Sequence, residues 1–329
     1  MEKRKVIFDC DIGTDDAVAL TSLILADNVD VIGVTCVHGN QPVEYTTDNA
    51  LRLLHFLGRD DIPVFKGCGK AMTRSLTAGR EKNTIMQRIH AVIDGEEITI
   101  HEKTLPLPEA ERTFDRRHAC SFIVDTLREA EEPVDICAVG PLTNIGIALR
   151  MAPEIAYKIG TLYIMGGALY TGNRTPVAEA NFYDDPEAAE IVLTSGANIL
   201  LGPIEGNISG ATYTQEDIDK IEAVGSRTSS FIAEILRSFV RRCQILFAPD
   251  VDSCCIHDYA AVAPLILPET ATDITREICR VDFYGGMSDG QLVVDRRGAP
   301  ADNSTVRIVN SMDSGKTHDL LLKLLKEKG

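Results

Sequence analysis

The sequence is short of positive charge and of long apolar segments. Its 33 Lys and Arg residues face 49 Asp and Glu residues, which gives a formal net charge of −16. Nucleic acids and anionic membranes are bound through basic patches, so this balance argues against either as the main partner. There is no apolar run of about 18 residues, and the first residues, MEKRKVIFDCD, lack the apolar segment of a signal peptide. We therefore expect neither a nucleic acid nor a membrane as partner.

Paired cysteine spacing, internal repeats and low-complexity linkers are lacking as well. The nine cysteines are odd in number and scattered, which fits a reducing cytosol better than a disulfide framework. This pattern predicts a cytoplasmic protein in which the vicinal Cys254 and Cys255 serve buried packing rather than redox chemistry. Because no linker divides the chain, a single domain is predicted over residues 1–329.

Short apolar, β-branched runs alternate with helical stretches along most of the chain. This alternation is typical of the α/β class, with a single open, mostly parallel sheet and helices on both faces. The predicted strands are Val6–Phe8, Val29–Val37, Ile62–Phe65, Val134–Val139, Thr161–Met165 and Asn198–Leu201. The predicted helices include Glu44–Leu57, Arg117–Ala130, Leu142–Met151, Pro186–Leu193 and a long amphipathic helix at Ser226–Phe247.

Two regions depart from the alternation. Residues 66–116 are Gly-rich, then charged and polar, with weak periodicity. They predict an excursion or lid over the sheet edge, with a disordered loop as the alternative. The tail is predicted to add strands and a closing helix, at Glu277–Phe283, Gln291–Val294, Thr305–Val309 and Asp319–Lys328.

A run of aspartates follows the first predicted strand. Asp9, Asp11, Asp15 and Asp16 fall within eight residues, and like charges so close destabilise a fold unless a cation or a catalytic task holds them together. They would lie at the carboxyl end of a parallel strand, which is where α/β sheets bind ligands. The alternative is a solvated loop with one helix-capping aspartate, which accounts for only one of the four.

Further polar clusters are predicted at the carboxyl ends of other strands. They are Val37-His38-Gly39-Asn40, Val139-Gly140-Pro141-Leu142-Thr143-Asn144, Gly172–Phe182 with Asn173, Glu179 and Asn181, and Ile256-His257-Asp258. Each one alone also fits a turn, a helix cap or a packed histidine. Amide and carboxylate groups together suit a polyhydroxyl ligand, and their convergence on one sheet edge predicts a single site.

Together these segments resemble a known family, the calcium-dependent nucleoside hydrolases, which release ribose from purine or pyrimidine ribonucleosides. The resemblance extends from Val6 to at least Pro268. It rests on DCDIGTDDAVAL at the start, HGN at 38–40, VGPLTNIGIAL at 139–149, MGG and GNRTPVAEANFYDDPEAA within 165–189, and HDYAAVAPLILP at 257–268. It implies a Rossmann-like nucleoside hydrolase fold, an N-glycosyl hydrolase of purine or pyrimidine salvage with a small ribonucleoside as substrate, and a homodimer or homotetramer.

The resemblance also implies a metal and a catalytic base. Asp11, Asp16 and Asp258, with the main-chain carbonyl of Val139, would hold a Ca²⁺ whose shell is completed by ribose hydroxyls and one water. Asp11 would also act as general base on that water, and His257 as general acid near the leaving base. An oxygen-only ligand set with three carboxylates suits hard Ca²⁺ better than zinc.

The remaining implied roles concern the sugar. Asp15 would bind the ribose 2′-hydroxyl, and Asp9 would support the loop from behind. The other residues that the resemblance places on the ribose and its 5′-hydroxyl end are Asn40, Met165, Asn173, Glu179 and Asn181.

Two departures from the family fall on the base side. Relatives carry a His-Gly segment soon after the tripeptide that is here Thr77-Ala78-Gly79, and the nearest candidate, His90-Ala91-Val92, lacks that signature. Purine-preferring relatives place tyrosines in the helix where this chain has Arg241-Arg242-Cys243-Gln244. These arginines could face an acidic or polar leaving group, although solvated surface charge is the favoured interpretation. The identity of the base is therefore left open.

Two other functions would use the same residues. A haloacid-dehalogenase-type phosphatase also begins with a strand and Asp-x-Asp, and Asp9 would then be the nucleophile. That class has a threonine where this chain has Gly13, and it gives Asp15 and Asp16 no role. A non-catalytic ribose or nucleoside sensor would keep the pocket without the reaction.

Overall fold

An eight-stranded sheet forms the centre of the protein, seen in a computed structural model that describes residues 3–76, 80, 90–298 and 301–329. In sheet order the strands are β11 (Ala271–Arg276), β14 (Val306–Met312), β8 (Ile199–Gly202), β7 (Ile159–Met165), β6 (Val134–Ala138), β1 (Arg4–Cys10), β2 (Val29–Cys36) and β3 (Val64–Lys66). Neighbouring strands pair in parallel except β11 and β14, which are antiparallel. The predicted α/β fold with a mostly parallel sheet is confirmed.

Helices and short hairpins connect these strands. The helices are α1 (Thr14–Leu25), α2 (Val43–Phe56), α3 (Ala119–Glu129), α4 (Thr143–Met151), α5 (Ala180–Asp184), α6 (Pro186–Leu193), α7 (Ile204–Ala211), α8 (Gln215–Glu222), α9 (Arg227–Leu246), α10 (His257–Ile266) and α11 (Ser314–Lys328). Three two-stranded sheets pair β4 (His90–Ile93) with β5 (Glu96–Thr99), β9 (Thr212–Thr214) with β10 (Ser253–Cys255), and β12 (Cys279–Val281) with β13 (Leu292–Val294). None of the helices in the described ranges has the length and apolar character of a membrane span.

The helices cover both faces of the central sheet, because side chains alternate along each buried strand. Phe8 of β1 belongs to a core that includes residues of α1, α9, α10 and α11. Its neighbour Ile7 belongs to a second core with residues of α3, α4 and α6. Both faces of β1 are therefore buried, which explains why its sequence is a continuous apolar run.

The tail differs from its prediction in three places. β11 was not predicted, because Ala271–Arg276 is a polar strand at the sheet edge with four exposed residues. The strand expected at Glu277–Phe283 shortens to β12 and pairs in a separate hairpin. The closing helix begins at Ser314 rather than Asp319, because the carboxylate of Asp313 caps it by accepting a hydrogen bond from Lys316 N.

The excursion at 66–116 is attached to the sheet at both ends. Asp115 N donates to Val64 O at 2.7 Å, and Asp115 forms a β-bridge with Phe65. The segment therefore leaves the sheet after β3 and comes back to the same strand. Its described middle part contains the β4–β5 hairpin, where His90 pairs with Thr99. Residues 77–79 and 81–89, which include the Thr77-Ala78-Gly79 tripeptide, lie outside the described residues.

A buried ion network ties the excursion to the distant part of the chain. Arg80 is 6% exposed, and its guanidinium binds the carboxylates of Asp289, with Nη2–Oδ1 at 2.9 Å, and Glu187. Asp289 is also buried, and Arg74 lies 3.4 Å from its other oxygen. A buried carboxylate is stable only while its cation is present, so the network depends on Arg80.

We expect Arg80→Met to lower the free energy of unfolding by about 3 kcal/mol, because the buried carboxylate of Asp289 loses the guanidinium that balances its charge. Urea denaturation followed by circular dichroism measures the change. Arg297→Met, which breaks an exposed ion pair with Asp295, is the matched control and should leave the midpoint unchanged. Equal midpoints for the two variants would contradict the network's role.

Candidate active site

Four neighbouring strands, β7, β6, β1 and β2, end at one cleft of about 340 Å³. Most of the predicted polar groups follow or end these strands, as expected for the carboxyl edge of a parallel sheet. His257 and Asp258 do not, because they begin α10 after β10, which is an antiparallel strand of a separate two-stranded sheet. The cleft is lined by all of the predicted site residues except Asp16, namely Asp11, Asp15, Asn40, Val139, Met165, Asn173, Glu179, Asn181, His257 and Asp258.

The carboxylate of Asp11 is held between two glycine backbones. Asn40 N donates to Asp11 Oδ2 at 2.5 Å. A Cβ at Gly39 would overlap Asp11 Oδ2, and a Cβ at Gly140 would lie 2.9 Å from Oδ1. Glycine at both positions therefore lets main chain from two loops approach the carboxylate, which fixes its orientation in the cleft.

Asp16 lies behind the cleft and organises the loop that carries Asp11. It is fully buried, and it accepts hydrogen bonds from Gly13 N at 2.8 Å, Asp11 N at 3.2 Å and Asn40 Nδ2 at 3.3 Å. A Cβ at Gly13 would lie 2.7 Å from His101 Nδ1, so the tight loop requires glycine there.

Three carboxylates form an acidic group at this edge. One oxygen each of Asp15, Asp16 and Asp258 lies within 4.8 Å of the others. Burial raises the pKa of Asp15 and of Asp16 to about 6, with the charge of Asp15 adding to the rise at Asp16. Burial, followed by the neighbouring carboxylates, raises the pKa of Asp258 and of Asp11 well above the usual range.

This acidic group fits a hard cation. Asp15 Oδ1 is buried and accepts no hydrogen bond, so an acceptor remains available there. Several buried like charges repel one another unless positive charge lies between them, and an oxygen-rich donor set is what Ca²⁺ prefers. The main-chain carbonyl of Val139 accepts from Asn181 Nδ2 at 2.8 Å and keeps a second lone pair.

The cleft residues that the sequence predicts on the sugar are oriented by hydrogen bonds with the main chain. Glu179 caps α5, where it accepts from Asn181 N at 2.8 Å and Gly167 N at 2.9 Å, and burial raises its pKa to about 7. Asn181 Nδ2 also donates to Met165 O at 3.1 Å. Asn173 Oδ1 accepts from Ala180 N at 2.9 Å at the exposed mouth of the cleft. The amides and the carboxylate thus present fixed donors and acceptors to a ligand.

Two histidines face the other half of the cleft. Burial, followed by the charge of His101, lowers the pKa of His257 to about 4, so its imidazole is neutral near pH 7. His101 follows the β4–β5 hairpin, and its Nδ1 lies 3.8 Å from Asp15 Oδ1 and accepts from Thr14 N at 3.3 Å. Its ring stacks on Phe239 with centroids 5.3 Å apart.

Sequence reasoning missed several residues of this half. His101 follows a hairpin that the weak periodicity of 66–116 did not predict, and His90, the nearest candidate to Thr77-Ala78-Gly79, has no described side chain. The other missed residues that line the cleft are Thr99, Ile100, Arg174, Phe239, Cys243, Phe247, Ser253, Cys254 and Cys255. They come from segments far apart in the chain, so no local spacing marks them.

The vicinal cysteines are more than packing. Cys254 is buried as predicted, but Cys255 is only partly buried, and its Sγ lies 3.5 Å from His257 Nδ1. Both line the cleft, so the prediction of buried packing is incomplete. The contact places a thiol beside one of the two histidines.

The arginines of α9 point away from the cleft. Arg242 donates to Thr99 O at 3.0 Å and pairs with Glu102 at 3.2 Å, while Arg241 is exposed. Of the four residues at 241–244, Cys243 lines the cleft. The arginines therefore form surface and ion-pair charge rather than a contact to a ligand in the cleft.

Asp9 lies behind the site. It is fully buried, and its Oδ2 accepts from Thr35 Oγ1 at 2.6 Å and from Asn144 Nδ2 at 2.8 Å. Asp9 does not belong to the cleft lining. A nucleophile must reach its substrate, so this position argues against a phosphatase that uses Asp9.

The chain is similar along almost its whole length to proteins of known class. A family model described as inosine-uridine preferring nucleoside hydrolase matches residues 6–319. The pyrimidine-specific ribonucleoside hydrolase RihA of Escherichia coli O1:K1 is 34% identical over 328 residues, which cover 98% of each chain. RihA of Citrobacter koseri is 34% identical over 327 residues and 97% of each chain.

Solved structures show the same relationship. The purine-preferring ribonucleoside hydrolase of Gardnerella vaginalis has a TM-score of 0.86 at 26% identity, with 99% of each chain covered. The plant nucleoside hydrolase PpNRh1 has a TM-score of 0.83 at 29% identity, over 98% of this chain and 99% of that one.

Proposed function

The chain belongs to the family of inosine-uridine preferring nucleoside hydrolases, and on that premise we propose that Asp11 is the general base of its reaction and Ca²⁺ its metal. Family membership confirms the resemblance carried by the sequence motifs, and it makes the protein an N-glycosyl hydrolase that splits ribonucleosides into ribose and free base. The observation that supports the proposal best is the fixed carboxylate of Asp11 beside the buried acidic group.

The metal would be held by Asp11, Asp16, Asp258 and the carbonyl of Val139. When bound, Ca²⁺ supplies positive charge that orients ribose hydroxyls and lowers the pKa of the attacking water. Loss of one carboxylate from this set would leave fewer oxygen donors and less charge for the cation. The acidic character of the site also suits a sugar that becomes positively charged as the N-glycosidic bond breaks.

Asp11 accepts the proton of the attacking water. Asn40 N orients its carboxylate, and burial raises its pKa, which makes the carboxylate a stronger base. Asp15 binds the 2′-hydroxyl through Oδ1, which accepts no hydrogen bond within the protein and lies 3.8 Å from His101 Nδ1. The rest of the ribose is bound by Asn40, Met165, Asn173, Glu179 and Asn181, which line the sugar side of the cleft.

The leaving base is assisted by the histidines. His257 is a hydrogen-bond donor to the base in this proposal rather than the expected general acid, because burial lowers its pKa to about 4 and its imidazole is neutral near pH 7. His101 lines the same half of the cleft and stacks on Phe239. A base that leaves as an anion is a poor leaving group, so either histidine lowers the barrier by supplying a donor.

We propose a pyrimidine ribonucleoside as the preferred substrate. The curated relatives at 34% identity are named as pyrimidine-specific. In the part of α9 where purine-preferring relatives place tyrosines, this chain brings Cys243 to the cleft. In the cell this reaction would serve nucleoside salvage in the cytoplasm, carried out by a single-domain chain in a homodimer or homotetramer.

A panel of ribonucleosides tests the substrate. Release of free ribose from uridine and cytidine is expected to exceed that from inosine, adenosine, guanosine and xanthosine by about tenfold or more in kcat/KM, a range that binding-pocket contacts can supply. A preference for the purines would contradict the pyrimidine proposal and leave the hydrolase activity in place. Tight binding of nucleosides without any ribose release would instead support the sensor.

A further inference from the structure

A second cluster of metal-ligating side chains lies outside the cleft. Cys68, His118 and Cys120 each offer one ligand atom, and these atoms all lie within 4.8 Å of one another. The two sulfurs are 3.8 Å apart, and both residues are thiols. In the described part of the chain this is the one group with a sulfur-rich donor set.

The donor set and spacing suit Zn²⁺. Zinc binds cysteine sulfur at about 2.3 Å in tetrahedral geometry, which places two sulfur ligands roughly 3.8 Å apart. Two thiolates and an imidazole form a softer set than the carboxylates of the cleft, which favour Ca²⁺. We propose that Cys68, His118 and Cys120 form a zinc site.

This site would clamp the two ends of the excursion at 66–116. Cys68 follows the end of β3 by two residues, whereas His118 caps α3 and Cys120 lies in the first turn of that helix. The segment between them carries His101 into the cleft. A metal that joins residues so far apart in sequence stabilises the fold because binding energy is gained only when both ends are in place.

One asparagine links the cluster to the main site. Asn144 Oδ1 accepts from Cys68 N at 2.9 Å, Asn144 O accepts from Cys120 Sγ at 3.5 Å, and Asn144 Nδ2 donates to Asp9. A thiolate cannot donate to Asn144 O, so zinc would brace Asn144, which holds Asp9 behind the aspartate loop, through the backbone hydrogen bond from Cys68 N. The role is structural, since none of the three ligands lines the cleft.

The cluster is reachable from solvent. His118 is exposed and Cys68 is half-buried, so an ion can enter and a water can complete the four ligands. The hydrogen bond with Cys68 and burial raise the pKa of the Cys120 thiol. Zinc binds cysteine as the thiolate, so the affinity falls as the pH is lowered.

Cobalt substitution in the full-length protein tests the site. The protein is reduced with a phosphine, saturated with Ca²⁺ to occupy the acidic group, and titrated with Co²⁺ and then Zn²⁺. We expect one Co²⁺ per chain with a thiolate-to-metal charge-transfer band, which Zn²⁺ then displaces. Cys68→Ser should abolish the band, and His118→Asn should weaken binding by about tenfold or more while the asparagine keeps the helix cap.

Two controls separate this site from other thiols. Cys279→Ser removes a buried cysteine on β12, and Cys255→Ser removes the thiol beside His257 in the cleft. Both should retain the full band. The absence of a band in the reduced protein, or a band that survives Cys68→Ser, would overturn the zinc site. Because the readout is absorbance rather than ribose release, the result does not depend on the proposed hydrolysis.

Discussion

Asp11→Asn is expected to lower kcat by about 10³-fold or more and to leave the fold intact, because an amide cannot accept the proton of the attacking water. Asparagine has nearly the same shape as aspartate, and its Oδ1 can still accept the hydrogen bond from Asn40 N. The change removes the base and one charged ligand of the proposed metal site but keeps the contact with Asn40 N, so the two proteins are compared at saturating Ca²⁺. Ribose release from uridine under saturating Ca²⁺ measures the effect.

The matched control is Asp27→Asn. Asp27 is exposed, pairs with Lys328 just after the end of α1 and does not line the cleft. This variant should keep the activity of the unaltered protein, and both variants should show the same circular dichroism spectrum. If Asp11→Asn retained a tenth or more of the activity, Asp11 would not be the base.

Chelation of the metal is expected to abolish ribose release and to lower the thermal midpoint, and added Ca²⁺ should restore both. A ligand at a thousand times its Kd stabilises the native state by about 4 kcal/mol. For a chain of this length that corresponds to a rise of roughly 6 °C in the midpoint. The physical reason is the buried acidic group, whose carboxylates repel one another when no cation lies among them.

The variant Asp258→Asn distinguishes the effect of losing bound Ca²⁺ from any other effect of the chelator on the protein. The variant removes one of the three clustered carboxylates, so the rise in midpoint on adding Ca²⁺ should shrink or vanish. Without Ca²⁺ the variant should be at least as stable as the unaltered protein, because one buried negative charge is gone. Asp27→Asn again provides the control, with an unchanged response. Full activity in chelator, or an undiminished calcium response in Asp258→Asn, would contradict the calcium proposal.

Much of the fold and of the sugar side could be predicted from local patterns. Val6-Ile7-Phe8 is continuously apolar because both faces of β1 are buried, and Asp11 follows it at the sheet edge. Asn40 and Met165 follow or end other parallel strands, so their approach to Asp11 is a consequence of the sheet order. The assignment of each residue to metal or sugar stays a prediction that the variants above address.

The base side and the tail could not be predicted in the same way. His101 follows a polar hairpin, and Cys243 comes from a helix whose periodicity indicates which face is buried but not what that face meets. β11 is a polar edge strand, and such strands carry little apolar signal. The cluster of Cys68, His118 and Cys120 shows no metal-binding spacing along the chain, because its members lie at opposite ends of the excursion.

The amino-acid sequence by itself determined the parallel sheet, the edge at which ligands bind and the family, because buried strands and the loops that follow them are written in contiguous residues. Only the tertiary structure decided that His101 and the vicinal cysteines line the cleft. It also decided that Arg80 forms an ion pair with Asp289 and that Cys68 lies beside Cys120. These contacts join segments tens to hundreds of residues apart, and their geometry follows from packing of the whole chain rather than from any local pattern.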